Sequence, residues 1–142
     1  MPSVHLTPKY AIKQDVSYKE YKMHKYVYNL GIVKMPRIVS YNEAEKTMKM
    51  QRINGFSVSD MYGESIDGVP PHIRAQISDI VVSLTYRNIE YPDITGYNFI
   101  VDKDEETMWV VDFEHASYNE NITDEFILDT CKKVSKWNLD FT

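Results

Sequence analysis

The segment from Asn54 to Pro71 constrains this chain most. It holds Gly55, Gly63, Gly68, Pro70 and Pro71, and such a density of glycine and proline interrupts any regular element. The hydrophobic pattern differs on its two sides. Before it, short runs predict strands at Lys9 to Gln14, Arg37 to Tyr41 and Thr47 to Ile53, the last two joined by the polar turn Asn42 to Glu45. One helix is predicted among them, Ser17 to Leu30, with Met23, Val27 and Leu30 at helical spacing and Gly31 placed to stop it. After the break, Pro70-Pro71 opens a long helix with the apolar stripe Ile73, Ile77, Ile80/Val81 and Leu84. A loop at Tyr91 to Gly96 follows. A hairpin then pairs Phe99 to Val101 with Met108 to Val111 around Lys103-Asp104-Glu105-Glu106. The last element is a helix from about Thr123 to Trp137. Ile127, Cys131 and Val134 share one of its faces, which predicts a buried Cys131 acting as a small hydrophobe. This order predicts an α+β fold: a sheet-rich part over 1–53, a linker over 54–71 with one short helical turn, and a more helical part over 72–142.

At 142 residues with 43% hydrophobic content, the chain can bury a core as one domain or as two small lobes sharing a cleft. Its longest apolar runs, such as Ile80 to Leu84, are too short to span a bilayer, so no membrane association is expected. Met1 to His5 lacks the charged start and apolar run of a signal peptide. A lone Cys131 can form no internal disulfide, and no Cys/His spacing suggests zinc; the expectation is an intracellular, reducing compartment. The net charge of -5 conceals an asymmetry: residues 9–52 carry ten Lys/Arg against four Asp/Glu, and the remainder six against seventeen. A basic part beside an acidic part suits a site with phosphates on one side and metal-binding carboxylates on the other. The acidic total argues against direct nucleic-acid binding, which needs a basic face.

Phosphoryl transfer needs few groups, because its catalysis is mostly positioning and charge neutralisation. A cation holds the phosphates, oxygen ligands hold magnesium, and one carboxylate orients or deprotonates the attacking hydroxyl. Asp93 and Asn98, in Tyr91-Pro92-Asp93-Ile94-Thr95-Gly96-Tyr97-Asn98, have the Asp-x-x-x-x-Asn spacing of a kinase catalytic loop. Asp112-Phe113 ends the following hairpin, where kinases carry the Asp of D-F-G. Tyr10-Ala11-Ile12-Lys13 resembles the V-A-I-K strand, and the next helix carries Glu20. The run from Glu20 through Leu30-Gly31-Ile32 to Pro36-Arg37-Ile38-Val39 is similar to the corresponding helix and strand of small atypical kinases of the Bud32 type. Met50-Gln51-Arg52-Ile53-Asn54-Gly55 resembles their hinge, and Thr95 follows Asp93 as it does in that group. The resemblance covers Tyr10 to Ala116 and extends to short kinase-like reading frames of large DNA viruses.

This resemblance implies a truncated bilobal kinase-like fold, with 1–53 as the N-lobe, 54–71 as the hinge and 72–142 as a reduced C-lobe. It implies ATP and Mg2+ as cofactors and a serine/threonine-type protein kinase activity on a protein substrate. Lys13 would hold the phosphates, Glu20 would orient Lys13, and the backbone of Gln51, Arg52 and Ile53 would bind adenine beside Met50. Asp93 would be the catalytic carboxylate, with Asn98 and Asp112 as magnesium ligands. A competing role for Glu20 is a capping box, Ser17-x-x-Glu20. Several positions depart from the pattern. Met1 to Pro8 contain no glycine, so no Gly-rich hairpin over the phosphates is expected. Tyr91-Pro92 stand for His-Arg, Glu114 stands for the Gly of D-F-G, and only one helix is predicted after Ala116. Asp-Phe-Glu-x-Ala also resembles the metal-binding segment of choline-kinase-like enzymes. The alternative function is a pseudokinase or decoy that binds a partner protein without transferring phosphate.

Overall fold

A computed structural model describes residues 3–104, 106–138 and 140. Met1 and Pro2 of the N-terminal stretch, and Glu105 of the hairpin turn, lie outside the described residues. The architecture mixes helices with antiparallel sheets. β1 (Val4–Leu6) and β2 (Tyr10–Lys13) form a hairpin, and β4 (Thr47–Gln51) pairs with β2 and with β3 (Ile38–Asn42), giving a sheet ordered β1-β2-β4-β3. β1 is a strand that the apolar pattern does not mark. Its three residues are all exposed, so no burial alternation reveals it.

Helix α1 (Tyr18–Leu30) follows β2. Ser17 caps it rather than belonging to it, since its hydroxyl accepts the Glu20 N–H, and Gly31 ends it in the left-handed region at φ 66°. Val16, Met48 and Met50 form a small core under the sheet, with Tyr21 and Tyr41 packed against it as stacked rings. The larger core takes Val27 from the same helix and Met35 from the chain that follows. α1 therefore belongs to both cores, and the two parts of the chain share their burial.

The stretch from Asn54 to Pro71 is more structured than a linker with a single helical turn. It forms β5 (Gly55–Ser57), α2 (Val58–Tyr62) and a 3-10 turn at Ile66–Gly68. Val58 and Val69 are buried in the main core. β5 pairs with β7 (Phe99–Asp102), which pairs with β8 (Met108–Val110), making a three-stranded sheet from the expected hairpin and the expected linker. Gly55 makes this possible: a Cβ there would lie 2.0 Å from the Val101 carbonyl oxygen. The glycine read as a break is a close backbone approach.

α3 (Pro71–Tyr86) buries Ile73, Ile77, Ile80, Val81 and Leu84, the stripe its sequence spells. β6 (Ile89–Glu90) and β9 (Ser117–Tyr118) pair as a two-residue ladder. α4 (Asp124–Lys133) is shorter than the expected Thr123 to Trp137, and Thr123 is its cap. Cys131 is exposed, not buried. Thr130 is the buried residue of the helix, and Val134 and Trp137 beyond its end are buried too; Ile127 is half-buried, so of the expected face only Cys131 is exposed. Thr130 can be buried because its hydroxyl donates to the Phe126 carbonyl one turn back, at 3.0 Å. Among the described residues, no helix is long and apolar enough to cross a membrane.

Candidate functional site

Lys13 ends β2, where pairing with Val4 on one side and Met48 on the other fixes its backbone. The side chain is 5% exposed. Its ammonium donates to Glu20 Oε2 at 2.6 Å and to Asp112 Oδ1 at 3.1 Å. Glu20 occupies the first turn of α1, where a negative charge is favoured by the helix dipole. The capping alternative is realised only by half. Ser17 takes the Glu20 backbone N–H at 3.1 Å, while the Glu20 carboxylate turns to Lys13. Burial lowers the Lys13 pKa, but the charges of Asp112 and Glu20 outweigh it and the pKa stands above its ordinary value. Burial pushes Glu20 up, against the pull of Lys13. The second oxygen, Oε1, is buried and takes no hydrogen bond among the described residues. Such a pair is expensive to desolvate, so its presence is not explained by stability alone.

The loop Tyr91 to Asn98 is held from below. Tyr91 and Ile94 are in the main core, and the loop is closed by backbone bonds Ile94 N–H to Pro92 O, Thr95 N–H to Asp93 O and Asn98 N–H to Thr95 O. Gly96 is required by contact: a Cβ there would lie 1.9 Å from Ser59 Oγ, and its carbonyl accepts the Ser59 N–H. The Asn98 amide donates to the Asp93 carbonyl at 2.9 Å. Past β8, the Val111 N–H donates to the Asn98 carbonyl at 2.9 Å, which brings the chain just before Asp112 against the loop. Asp112 then adopts φ 67°, a left-handed backbone that ends the strand. Phe113 anchors it. Fully buried, this ring meets Tyr91 and His24 edge-on at 5.5 and 5.4 Å.

Two further groups complete the site. His115 Nδ1 lies 2.9 and 2.8 Å from the two oxygens of Asp93. Burial raises the Asp93 pKa, with the His115 hydrogen bond opposing it. Burial lowers His115, but Asp93 outweighs that and raises it. Glu114, which departs from D-F-G, offers an oxygen to a cluster with Glu20 and Asp112, all within 4.8 Å of one another. Three carboxylates beside one ammonium make a hard, oxygen-only donor set with excess negative charge, which fits a divalent cation such as magnesium.

The structure thus brings Lys13, Glu20 and Asp112 into direct contact and joins Asp93 to Asn98 within one loop. The carboxylates grouped with Asp112 are Glu20 and Glu114, and the Asn98 amide nitrogen donates to the Asp93 carbonyl. Asn98 meets the Asp112 strand through its backbone. Of the expected adenine-binding segment, Met50 is buried in the small core and Gln51 N–H pairs with Arg37 O. Sheet pairing ends there, and Arg52 donates from its side chain to Thr7 O at 2.8 Å. Arg52 and Ile53 are therefore the residues whose backbone has left the sheet. By sequence, His115 reads as a structural group, and Glu114 enters only through the resemblance of Asp-Phe-Glu-x-Ala to a metal-binding segment. For His115 the available signal is its nearness to Asp112, because Asp93 meets it across 22 residues of chain. No family model and no curated protein sequence matches the chain.

Proposed function

We propose that this chain is a protein-kinase-like phosphotransferase of the serine/threonine type, in a reduced bilobal fold, using ATP and magnesium. The observation that carries the reading is Lys13 held between Glu20 and Asp112, residues that come from three separate elements. In this reading Lys13 holds the ATP α/β-phosphates with Glu20 fixing its ammonium, and adenine meets the backbone from Gln51 to Ile53 beside Met50. Magnesium, when bound by Asp112 and Asn98 with Glu114 as a further carboxylate, neutralises phosphate charge. Asp93 orients the acceptor hydroxyl and takes its proton. The bond from the γ-phosphorus to the β,γ-bridging oxygen breaks as the bond to the acceptor oxygen forms. Burial suits Asp93 to this task, because a raised pKa makes the carboxylate a better base. The test is ATP turnover and autophosphorylation with magnesium. Turnover that falls to background in Asp93→Ala supports the reading, and wild-type turnover no higher than that variant's sinks it.

A second reading, a pseudokinase or decoy acting through a partner protein, is favoured by one contact: His115 meets both oxygens of Asp93. A thermal-shift titration separates the two readings. Ligand binding stabilises by RT ln(1+[L]/Kd), so a melting temperature unmoved by Mg-ATP favours the decoy.

A further inference from the structure

α1 presents a second face, opposite Glu20 and His24, that no part of the site uses. Tyr18, Lys19, Lys22, Met23 and Tyr26 lie along it at helical spacing, and Tyr118 of β9 stands beside them. Together they line an open, largely apolar groove of about 600 Å³. Its three tyrosines are 49%, 44% and 54% exposed, respectively Tyr18, Tyr26 and Tyr118. Exposed aromatic area of this kind, gathered in one groove, marks a contact surface. The charged residues of its lining, Lys19 and Lys22, are both positive. Lys19, Lys22 and Lys25 are exposed on α1, none of the lining residues is acidic, and the one acid of the helix, Glu20, is buried on Lys13. Lys22 also lies over the Tyr18 ring at 5.4 Å from its centroid.

We propose that the groove between α1 and β9 docks an acidic peptide segment of a partner protein, with one aromatic or aliphatic side chain seated against Tyr26 and Tyr118. The lysine rim supplies charge complementarity and the apolar floor supplies the anchor site. The ring geometry selects against a nucleic acid. Tyr26 and Tyr118 meet at 88°, forming a corner for a side chain and not a flat platform for a base. A symmetric second copy is disfavoured because a two-fold contact would place Lys19, Lys22 and Lys25 against their own equivalents. The inference does not depend on phosphotransfer and holds for an active or an inactive chain.

The test pans a display library of random peptides on the full chain, then measures the enriched peptides by fluorescence anisotropy. Lys19→Glu/Lys22→Glu and Tyr118→Ala serve as separate variants, each first checked for an unchanged melting temperature. The expected winners carry several Asp or Glu and one Phe, Trp, Leu or Ile. Each variant should weaken them about tenfold, and added salt should weaken them in wild type more than in the lysine variant. Four outcomes overturn the proposal: no enrichment; winners without acidic excess; winners that bind both variants as they bind wild type; and oligo-dT binding more tightly than the best peptide. Self-association that the same substitutions abolish assigns the groove to a second copy and equally overturns it.

Discussion

Lys13 shows how little a single residue reveals before its neighbours are known. A lysine at a strand end is ordinarily solvated, yet this one is 5% exposed and shared by two carboxylates. Removing one partner of a buried pair leaves the other charge uncompensated, which costs about 3 kcal/mol. Lys13→Met should therefore lower stability by that amount in a urea titration. Lys13→Met/Glu20→Met should recover much of it, since the stranded charge is gone. Equal losses in the two variants would mean that the pair does not govern the stability of this site. His24 supplies a pH test. Its ring nitrogen Nε2 donates to the Pro36 carbonyl at 2.7 Å, and burial lowers its pKa from 6.5 to about 4. Between those values the unfolded chain binds a proton that the folded chain refuses, so stability falls as pH drops from 6.5 to about 4, by about 3 kcal/mol in total. His24→Gln keeps a donor for Pro36 and has no proton to gain. The difference in stability between wild type and His24→Gln should shrink through that window, which chemical denaturation at stepped pH would measure. Glu20 and Asp93, whose pKa values are raised, act in the opposite sense, but they are common to both proteins and cancel in the comparison.

At the scale of elements, the glycines separate two physical roles that look alike in the sequence. Gly31 ends α1 at φ 66°, and a Cβ there would meet nothing within 4 Å. Gly31→Ala meets only backbone strain, worth about 1 kcal/mol. Gly55 has no such backbone constraint, but a Cβ would strike the Val101 carbonyl at 2.0 Å, and a paired strand cannot yield that far. Gly55→Ala should therefore separate β5 from β7 and cost clearly more than Gly31→Ala, about 3 kcal/mol. Thermal melts of the two variants would rank them, and hydrogen exchange should rise at Phe56 and Val101 only in Gly55→Ala. The reverse ranking would mean that β5 is dispensable to the fold. Helices with a regular apolar stripe are legible in the sequence. α3 is identified with its five apolar core residues, which repeat at one period, but not with Thr85, a buried polar residue whose hydroxyl donates to the Val81 carbonyl. α4 is placed correctly, with Val134 buried and Ile127 half-buried as expected, but Cys131 is exposed and Thr130, a polar residue whose hydroxyl is satisfied by its own helix, is buried.

The whole molecule is joined at two places that the chain order conceals. α1 contributes Val27 to the main core and Tyr21 to the small one, so the sheet and the helical part cannot lose their packing independently. Lys13 and Asp112, 99 residues apart, touch at 3.1 Å and join the four-stranded sheet to the end of the β7–β8 hairpin. In the proposed reading a nucleotide would bind between these parts, with a cation held by Asp112, Asn98 and Glu114, and cation and nucleotide binding would be mutually dependent. By linkage each must strengthen the other by the same factor. ATP should thus bind wild type more tightly with magnesium than with EDTA. Asp112→Asn should lose most of that gain, since it removes a formal charge at nearly constant size. Calorimetric titrations of both proteins in both buffers would measure it. An Asp112→Asn protein with the full magnesium effect would remove Asp112 from the ligand set.

The sequence alone determined whatever depends on local period and local punctuation. α1 with its Ser17 and Gly31 ends, α3, and the β7–β8 hairpin all follow from side-chain spacing, which the backbone geometry of helix and strand enforces within a few residues. The contacts of Lys13 with Glu20 and Asp112, and of Asp93 with Asn98 within one loop, join residues that motif spacing had singled out. Only the tertiary structure decided that a strand lies inside the glycine-rich break and that His115 faces Asp93. The same holds for Glu114, whose carboxylate groups with those of Glu20 and Asp112. Each of these is a contact between residues far apart in the chain. Such contacts form because burial and backbone pairing across the whole fold outweigh local preference, and no local period records them.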